Sequence, residues 1–327
     1  MDQILDCKYY TNNKIGEKYI GGNILPVIEC SHPNKSIARC NGCKEYEKKS
    51  VSPLSTFIKP LETRYSPPAK IKVGITTCPR TDETLDRCVD SILKAGFEES
   101  DIHIFHDNQP IRQDFRERGI RQTSSDYTLF GFPNFVRTLT EMLLSSGRTY
   151  HKMWDDYAYL VIQDDVELSP YDIKSYLLND VLFPSPLQNF GMLSLYCSHH
   201  YKRRERNHEW VNLDPAEWIL YNHLKPNSGR VKWCWSGQAM LFSRESALKF
   251  IRNATNKSGF GWYYSHDFDD GKAGLRKIDH VIGSFCNDFN LDIWQLSRSL
   301  CDHIGQNSAM WNGQGLGGDR SAWNTIK

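Results

Sequence analysis

From residue 71 onward the chain alternates short apolar runs with amphipathic stretches, the pattern of strands and helices in an α/β domain. Ile71 to Arg80 reads as a strand that stops in the polar loop Thr76-Thr77-Cys78-Pro79-Arg80. Thr84 to Ala95 follows, with Leu85, Cys88, Val89, Ile92 and Leu93 on one face, which predicts a helix closed by Gly96. Asp101 to Asn108 is the next strand, ending on a carboxylate, Asp107. Later, Tyr159-Leu160-Val161-Ile162 runs straight into Gln163-Asp164-Asp165, predicting a buried strand that ends at two adjacent acids, with Ser169 and Pro170 as N-cap and first residue of a helix. Gly191 to Tyr196 predicts another strand. The segment Trp233 to Glu245 begins with aromatics, crosses Gly237, and ends in a strand with a helix from Ser243. Lys277 to Gly283 predicts a helix start carrying Asp279.

Before residue 70 this regularity is missing. The expected organisation is a small cysteine-bearing module over 1–50, a proline-punctuated linker over 51–70, and a catalytic domain over 71–327. In the module, Cys40 and Cys43 form a Cys-x-x-Cys knuckle, and Cys30 and His32 supply a second pair. Four such ligands suit structural zinc, with Cys7 as the substitute for His32, and a segment too small to bury a core gains most from a metal. The alternative is a coil with four unmetallated thiols.

Composition adds bounds. The chain has 327 residues, 39% of them hydrophobic, enough for a sizeable core. A formal charge of +1 announces no polyanionic partner. No apolar run approaches the roughly 18 residues of a membrane span, and Met1-Asp2-Gln3 does not open a signal peptide, so the expectation is a cytoplasmic protein, or a nuclear one in a nucleated cell. Of the ten cysteines, Cys88, Cys197, Cys234 and Cys286 lie in apolar settings and read as reduced core residues.

The chemistry concentrates at strand ends. Two adjacent carboxylates after a parallel strand repel one another unless a proton or cation intervenes, and a hard divalent ion holding a diphosphate is one such cation. The competing reading is that Asp164 and Asp165 cap a helix. Neither Gly-x-Gly-x-x-Gly nor a Walker lysine accompanies the first β-α-β unit, which argues against a dinucleotide oxidoreductase and a P-loop enzyme.

Thr76-Thr77-Cys78-Pro79-Arg80, Asp107, Gly131-Phe132-Pro133-Asn134 and Gln163-Asp164-Asp165-Val166, in that order, resemble glycosyltransferases of the GT-A fold over roughly residues 70 to 310. The resemblance implies an open mixed sheet flanked by helices and a nucleoside diphosphate sugar donor, a UDP-sugar by likeness, bound with Mn²⁺ or Mg²⁺. Carried over, Thr76, Thr77, Arg80, Asp107 and Asn134 would line the nucleotide pocket. The acids stand for an Asp-x-Asp-like metal motif, with Gln163 where some relatives carry Glu; this makes Asp165 the direct ligand and Asp164 its partner through water or ribose. Gly237 would let backbone approach the donor sugar, and Trp233 and Trp235 would wall the acceptor or share a strand face. Asp279 resembles the base that takes the acceptor proton in inverting transfer, against the plain reading of a helix N-terminal acid and the rivals Asp269 and Asp270. His303, in a late His-x-Gly, would return to the metal or the diphosphate, with the glycine-rich tail from Gly313 to Gly318 as a lid.

The implied activity is thus hexosyltransferase-like transfer to a glycan or protein hydroxyl. The basic run Lys202-Arg203-Arg204-Glu205-Arg206 keeps a hydroxylated nucleic-acid acceptor in view. Two other classes stay open: a nucleotidyltransferase, and a zinc-stabilised nucleic-acid-binding protein with a silent α/β domain.

Overall fold

The computed structural model describes residues 10–20, 23–30, 54, 57–59, 70–80, 83–129, 131–146, 157–179, 190–198, 201, 209–221, 237–256, 278–305 and 325–326. The chain divides into two compact units, Met1–Ser52 and Pro53–Lys327. In the smaller, β1 (Tyr10–Ile20) and β2 (Asn23–Cys30) pair as an antiparallel hairpin. Cys30 closes β2; His32, Cys40 and Cys43 lie outside the described residues.

The larger unit is built on an eight-stranded sheet. Its strands are β3 (Lys70–Thr77), β4 (Ile102–His106), β5 (Arg121–Ser124), β6 (Tyr157–Gln163), β8 (Phe190–Ser194), β9 (Trp218–Leu220), β10 (Ala239–Ser243) and β11 (Asp292–Leu296). Across the sheet the order is β5-β4-β3-β6-β10-β8-β11-β9. The first four run parallel, β10 is antiparallel to both of its neighbours, β11 is parallel to β8, and β9 closes the far edge antiparallel. A separate short pair joins β7 (Val166–Leu168) to β12 (Cys301–His303).

Strands covered on both faces are buried along their whole length, as β4 and β8 are, with His103 and His106 of β4 buried among apolar neighbours. Side chains alternate between two cores: Leu160 and Ile162 of β6 join one, Tyr159 and Val161 the other. The first core is covered by α1 (Leu85–Lys94) and α4 (Ile173–Asn179), the second by α3 (Gly131–Ser145), α5 (Arg244–Asn256) and α6 (Ile278–Asp288). A short α2 (Gln113–Glu117) precedes β5. The result is a three-layer α/β unit.

Helix α1 keeps the predicted limits, with Thr84 and Ala95 at its caps. Gly96 adopts φ +89° while its N–H donates to Leu93 and that of Phe97 donates to Ile92, a Schellman ending that explains the glycine. The helix predicted from Ser169 starts later, at Ile173. Ser169 instead donates its N–H to Leu300, extending the β7–β12 contact, and Asp172 accepts the N–H of Ser175 as the true cap.

The proline-punctuated stretch expected as a linker has a packed part. Leu54 and Ile58 are fully buried in the first core, and Ile58 bridges Ala216. Among the described cysteines, Cys88, Cys197, Cys286 and Cys301 are buried thiols and Cys78 is half-buried; Cys234 lies outside the described residues. No helix among the described residues is long and apolar enough to cross a membrane.

Candidate functional site

Strand order reverses beside β3: the chain proceeds from β3 outward to β4 and β5, then returns to β3's other side as β6. In open α/β sheets such a switch point leaves a crevice beyond the carboxyl ends of the two strands. Those ends are Thr76-Thr77 and Gln163-Asp164-Asp165. Backbone bonds lace them together, Asp164 N–H to Thr76 and Asp107 N–H to Thr77, so three strand ends meet at one place.

Arg80, in the loop after β3, spans both acids, with Nη2 2.6 Å from Asp164 Oδ1 and Nη1 2.9 Å from Asp165 Oδ2. Thr77 Oγ1 donates to Asp164 Oδ2 at 2.6 Å and accepts from Gln109 Nε2 at 3.0 Å. From the far end of the chain, His303 Nε2 lies 3.0 Å from Asp165 Oδ2. His303 ends β12, where its pairing with Val166 sets it against the acid turn. Ile304 donates its N–H to the Asp165 carbonyl, and a Cβ on Gly305 would stand 2.8 Å from Asp165 Cβ. Only glycine lets the chain pass there.

The electrostatics are unequal. Both carboxyls are buried, at 2% and 5% exposure, and one guanidinium faces two of them. Burial, reinforced by the neighbouring Asp165, pushes Asp164 up to about 6, although Arg80 and Thr77 oppose it. Asp165 goes the other way: burial works against its charge, but the His303 hydrogen bond and Arg80 outweigh it and hold it below the usual range. Burial would discharge Arg80, but Asp164 and Asp165 more than compensate. Cys78 is pushed up to about 12 by burial and by Asp164, so it stands beside the acids as a neutral thiol.

Asp165 Oδ1 is buried and accepts no hydrogen bond. A desolvated carboxylate oxygen without a partner, next to an imidazole nitrogen on the same carboxylate, is a donor set that suits a divalent cation. No group of three or more potential metal ligands occurs among the described residues, and Asp165 with His303 is the pair that they offer to an ion at this place.

The other predicted residues fall around this centre. Thr76 Oγ1 turns back to the Ile162 carbonyl at 3.4 Å. Asp107 is buried and accepts the N–H of Leu129 at 2.5 Å, so it organises the loop beyond β5. Asn134 sits inside the first turn of α3 and donates to the Phe105 carbonyl at 3.1 Å, bracing a strand end; its Oδ1 is buried without a partner. Gly237 accepts from Gln163 Nε2 at 3.0 Å, and a Cβ there would lie 3.9 Å from that of Asp279, which places the first turn of α6 beside the acid strand. The contacts of that added Cβ are ordinary, so the protein itself leaves room at Gly237, whereas Gly305 is pressed against Asp165. Trp233, Trp235, Asp269, Asp270, the basic run from Lys202 and the glycine-rich tail lie outside the described residues. Gln109 was missed because nothing in its local pattern marks it.

No protein-family profile matches the chain, and no curated protein does. Among solved structures, similar folds include a protein described as a glucose-1-phosphate thymidylyltransferase from Bacillus anthracis in complex with sucrose (12% identity, TM-score 0.38, covering 69% of this chain and 87% of that one). S. aureus TarS is another (10% identity, TM-score 0.40, 79% of this chain and 37% of that one). A third is the mannosyltransferase PcManGT from Pyrobaculum calidifontis in complex with GDP-Man and Mn²⁺ (12% identity, TM-score 0.36, 75% of this chain and 60% of that one). The chain therefore spans well under two thirds of TarS. Likenesses of this size assign no activity, and the functional reading rests on the site.

Proposed function

We propose that the larger unit is a GT-A glycosyltransferase that moves a sugar from a nucleoside diphosphate donor, a UDP-sugar on this reading, to an acceptor hydroxyl. The observation that carries the proposal is the convergence of Arg80, Asp164, Asp165 and His303 at the switch-point crevice, with Asp165 Oδ1 buried and unpartnered. Asp165 and His303 would hold Mn²⁺ or Mg²⁺, which when bound supplies positive charge to the departing diphosphate. Thr76, Thr77, Arg80, Asp107, Asn134 and Asp164 would form the nucleotide side of the pocket and Gly237 the donor-sugar side. Asp279 would take the acceptor proton as the hydroxyl oxygen bonds to the anomeric carbon and the bond to the β-phosphate oxygen breaks; displacement from the opposite face inverts the centre. Within the same proposal Cys30, His32, Cys40 and Cys43 hold structural zinc in the N-terminal module.

The test is calorimetric titration of UDP into metal-stripped protein, with and without Mn²⁺, using wild type and Asp165→Ala. Mn²⁺-dependent binding that the substitution abolishes is the expected result. Absence of UDP binding under either condition rejects the UDP-sugar donor, and release of pyrophosphate from a nucleoside triphosphate would point to nucleotidyl transfer instead.

A further inference from the structure

We propose that Arg80 is the resident cation of the acid pair and that a divalent ion binds by taking its place. The inference rests on reading Asp164 and Asp165 as a cation site and adds what fills that site beforehand. Two separate guanidinium nitrogens lie within 2.9 Å of the two carboxylates, and the arginine side chain is only 12% exposed. A permanent structural pair in so dry a place normally satisfies its remaining donors and acceptors, because each one left unmade costs a desolvation penalty. Here Arg80 Nε and Asp165 Oδ1 are both buried without a hydrogen-bond partner. Charge, rather than a completed hydrogen-bond network, therefore holds the guanidinium in place.

The count of charges points the same way. One positive group facing two carboxylates leaves the cluster short, and a divalent ion makes up the difference. Asp165 retains an uncommitted oxygen for it, Oδ1, while Oδ2 is the one engaged by Arg80 and His303. An arginine released from the acids becomes a forked donor for phosphate oxygens. Ion uptake and capture of a diphosphate are then linked, each favouring the other. Arg80 thus keeps the crevice neutralised in the absence of the ion and turns to the nucleotide once the ion is bound.

The experiment is calorimetric titration of Mn²⁺ alone into metal-stripped full-length protein: wild type, Arg80→Ala and Arg80→Lys, each with and without millimolar guanidinium ion. Arg80→Ala is expected to bind Mn²⁺ about tenfold or more tightly than wild type, since a competing charge has been removed. Added guanidinium should restore the weaker affinity in Arg80→Ala and leave wild type unchanged. Lysine, a point charge that cannot span both carboxylates, should fall between. If Arg80→Ala does not fold, the comparison of Arg80→Lys with wild type carries the test. Equal or weaker Mn²⁺ binding in a folded variant overturns the exchange while leaving the cation site standing. No Mn²⁺ binding in any of the three proteins overturns the cation site and the exchange together.

Discussion

Asp164 and Asp165 are neighbours in sequence with opposite proton affinities, and the difference lies in what each touches. Asp165 has His303 at 3.0 Å, whereas Asp164 has the hydroxyl of Thr77 and a share of Arg80. Folded Asp164 keeps its proton to a pH of about 6, while in the unfolded chain it loses it near 3.8. The native state therefore binds more protons between those values. Stability from this group is full below the lower value and is lost as pH rises through the higher one. Asp164→Asn should accordingly stabilise the protein at pH 8 by on the order of 1–3 kcal/mol relative to wild type, with the gain vanishing near pH 4. Urea unfolding at both pH values checks this, and a gain of equal size at both would refute the assignment. The sequence disclosed that two acids stand at a strand end. It did not disclose their division of labour, because that depends on a histidine 138 residues away.

Elements were legible in proportion to their length. Helix α1 announced both limits through Thr84 and Gly96, and β3, β4 and β6 were visible as apolar runs broken by polar loops. Three-residue strands such as β7 and β12 have no period to read, and they exist because each finds the other. Ser169 and Pro170 looked like a helix start for that reason: the local pattern was right for a cap, but the Ser169 N–H extends the strand pair to Leu300 and its Oγ is buried without a partner instead of capping a helix. This strand pair carries His303 to Asp165, and Gly305 is its tightest point, with a Cβ predicted 2.9 Å from Asp165 Oδ2. Gly305→Ala should displace the carboxylate from His303, costing about 1–3 kcal/mol of stability by overpacking and weakening Mn²⁺ binding. Gly237→Ala, whose nearest contact would be 3.7 Å from Gln163 Nε2, should change stability by no more than about 0.5 kcal/mol. Thermal unfolding and Mn²⁺ titration of the two variants side by side distinguish a steric requirement from a general intolerance of alanine.

At the scale of the whole molecule the site is a product of topology. Arg80, Asp164 and His303 lie far apart in the chain and meet only after β6 has inserted beside β3 and β12 has paired with β7. No local pattern states that β10 will run antiparallel between β6 and β8, so the alternation of elements revealed an α/β class without fixing the strand order. The N-terminal limit of the larger unit was obscured for a related reason. The prolines between residues 53 and 68 look like a spacer, yet Leu54 and Ile58 are wholly buried in the first core, and Lys59 pairs with Glu217. If these contacts hold the segment as part of the domain, Leu54→Ala and Ile58→Ala should each cost about 2–5 kcal/mol, the range for large-to-small changes in a packed core. Substitutions in a free spacer would stay within about 0.5 kcal/mol of wild type. All nine tryptophans lie beyond residue 53, so tryptophan fluorescence, excited selectively over tyrosine, follows the larger unit alone during urea unfolding. A midpoint unchanged in both variants would return the stretch to the role of a linker. A lowered midpoint would extend the domain back to Pro53 and show that its core closes around residues lying outside the regular pattern.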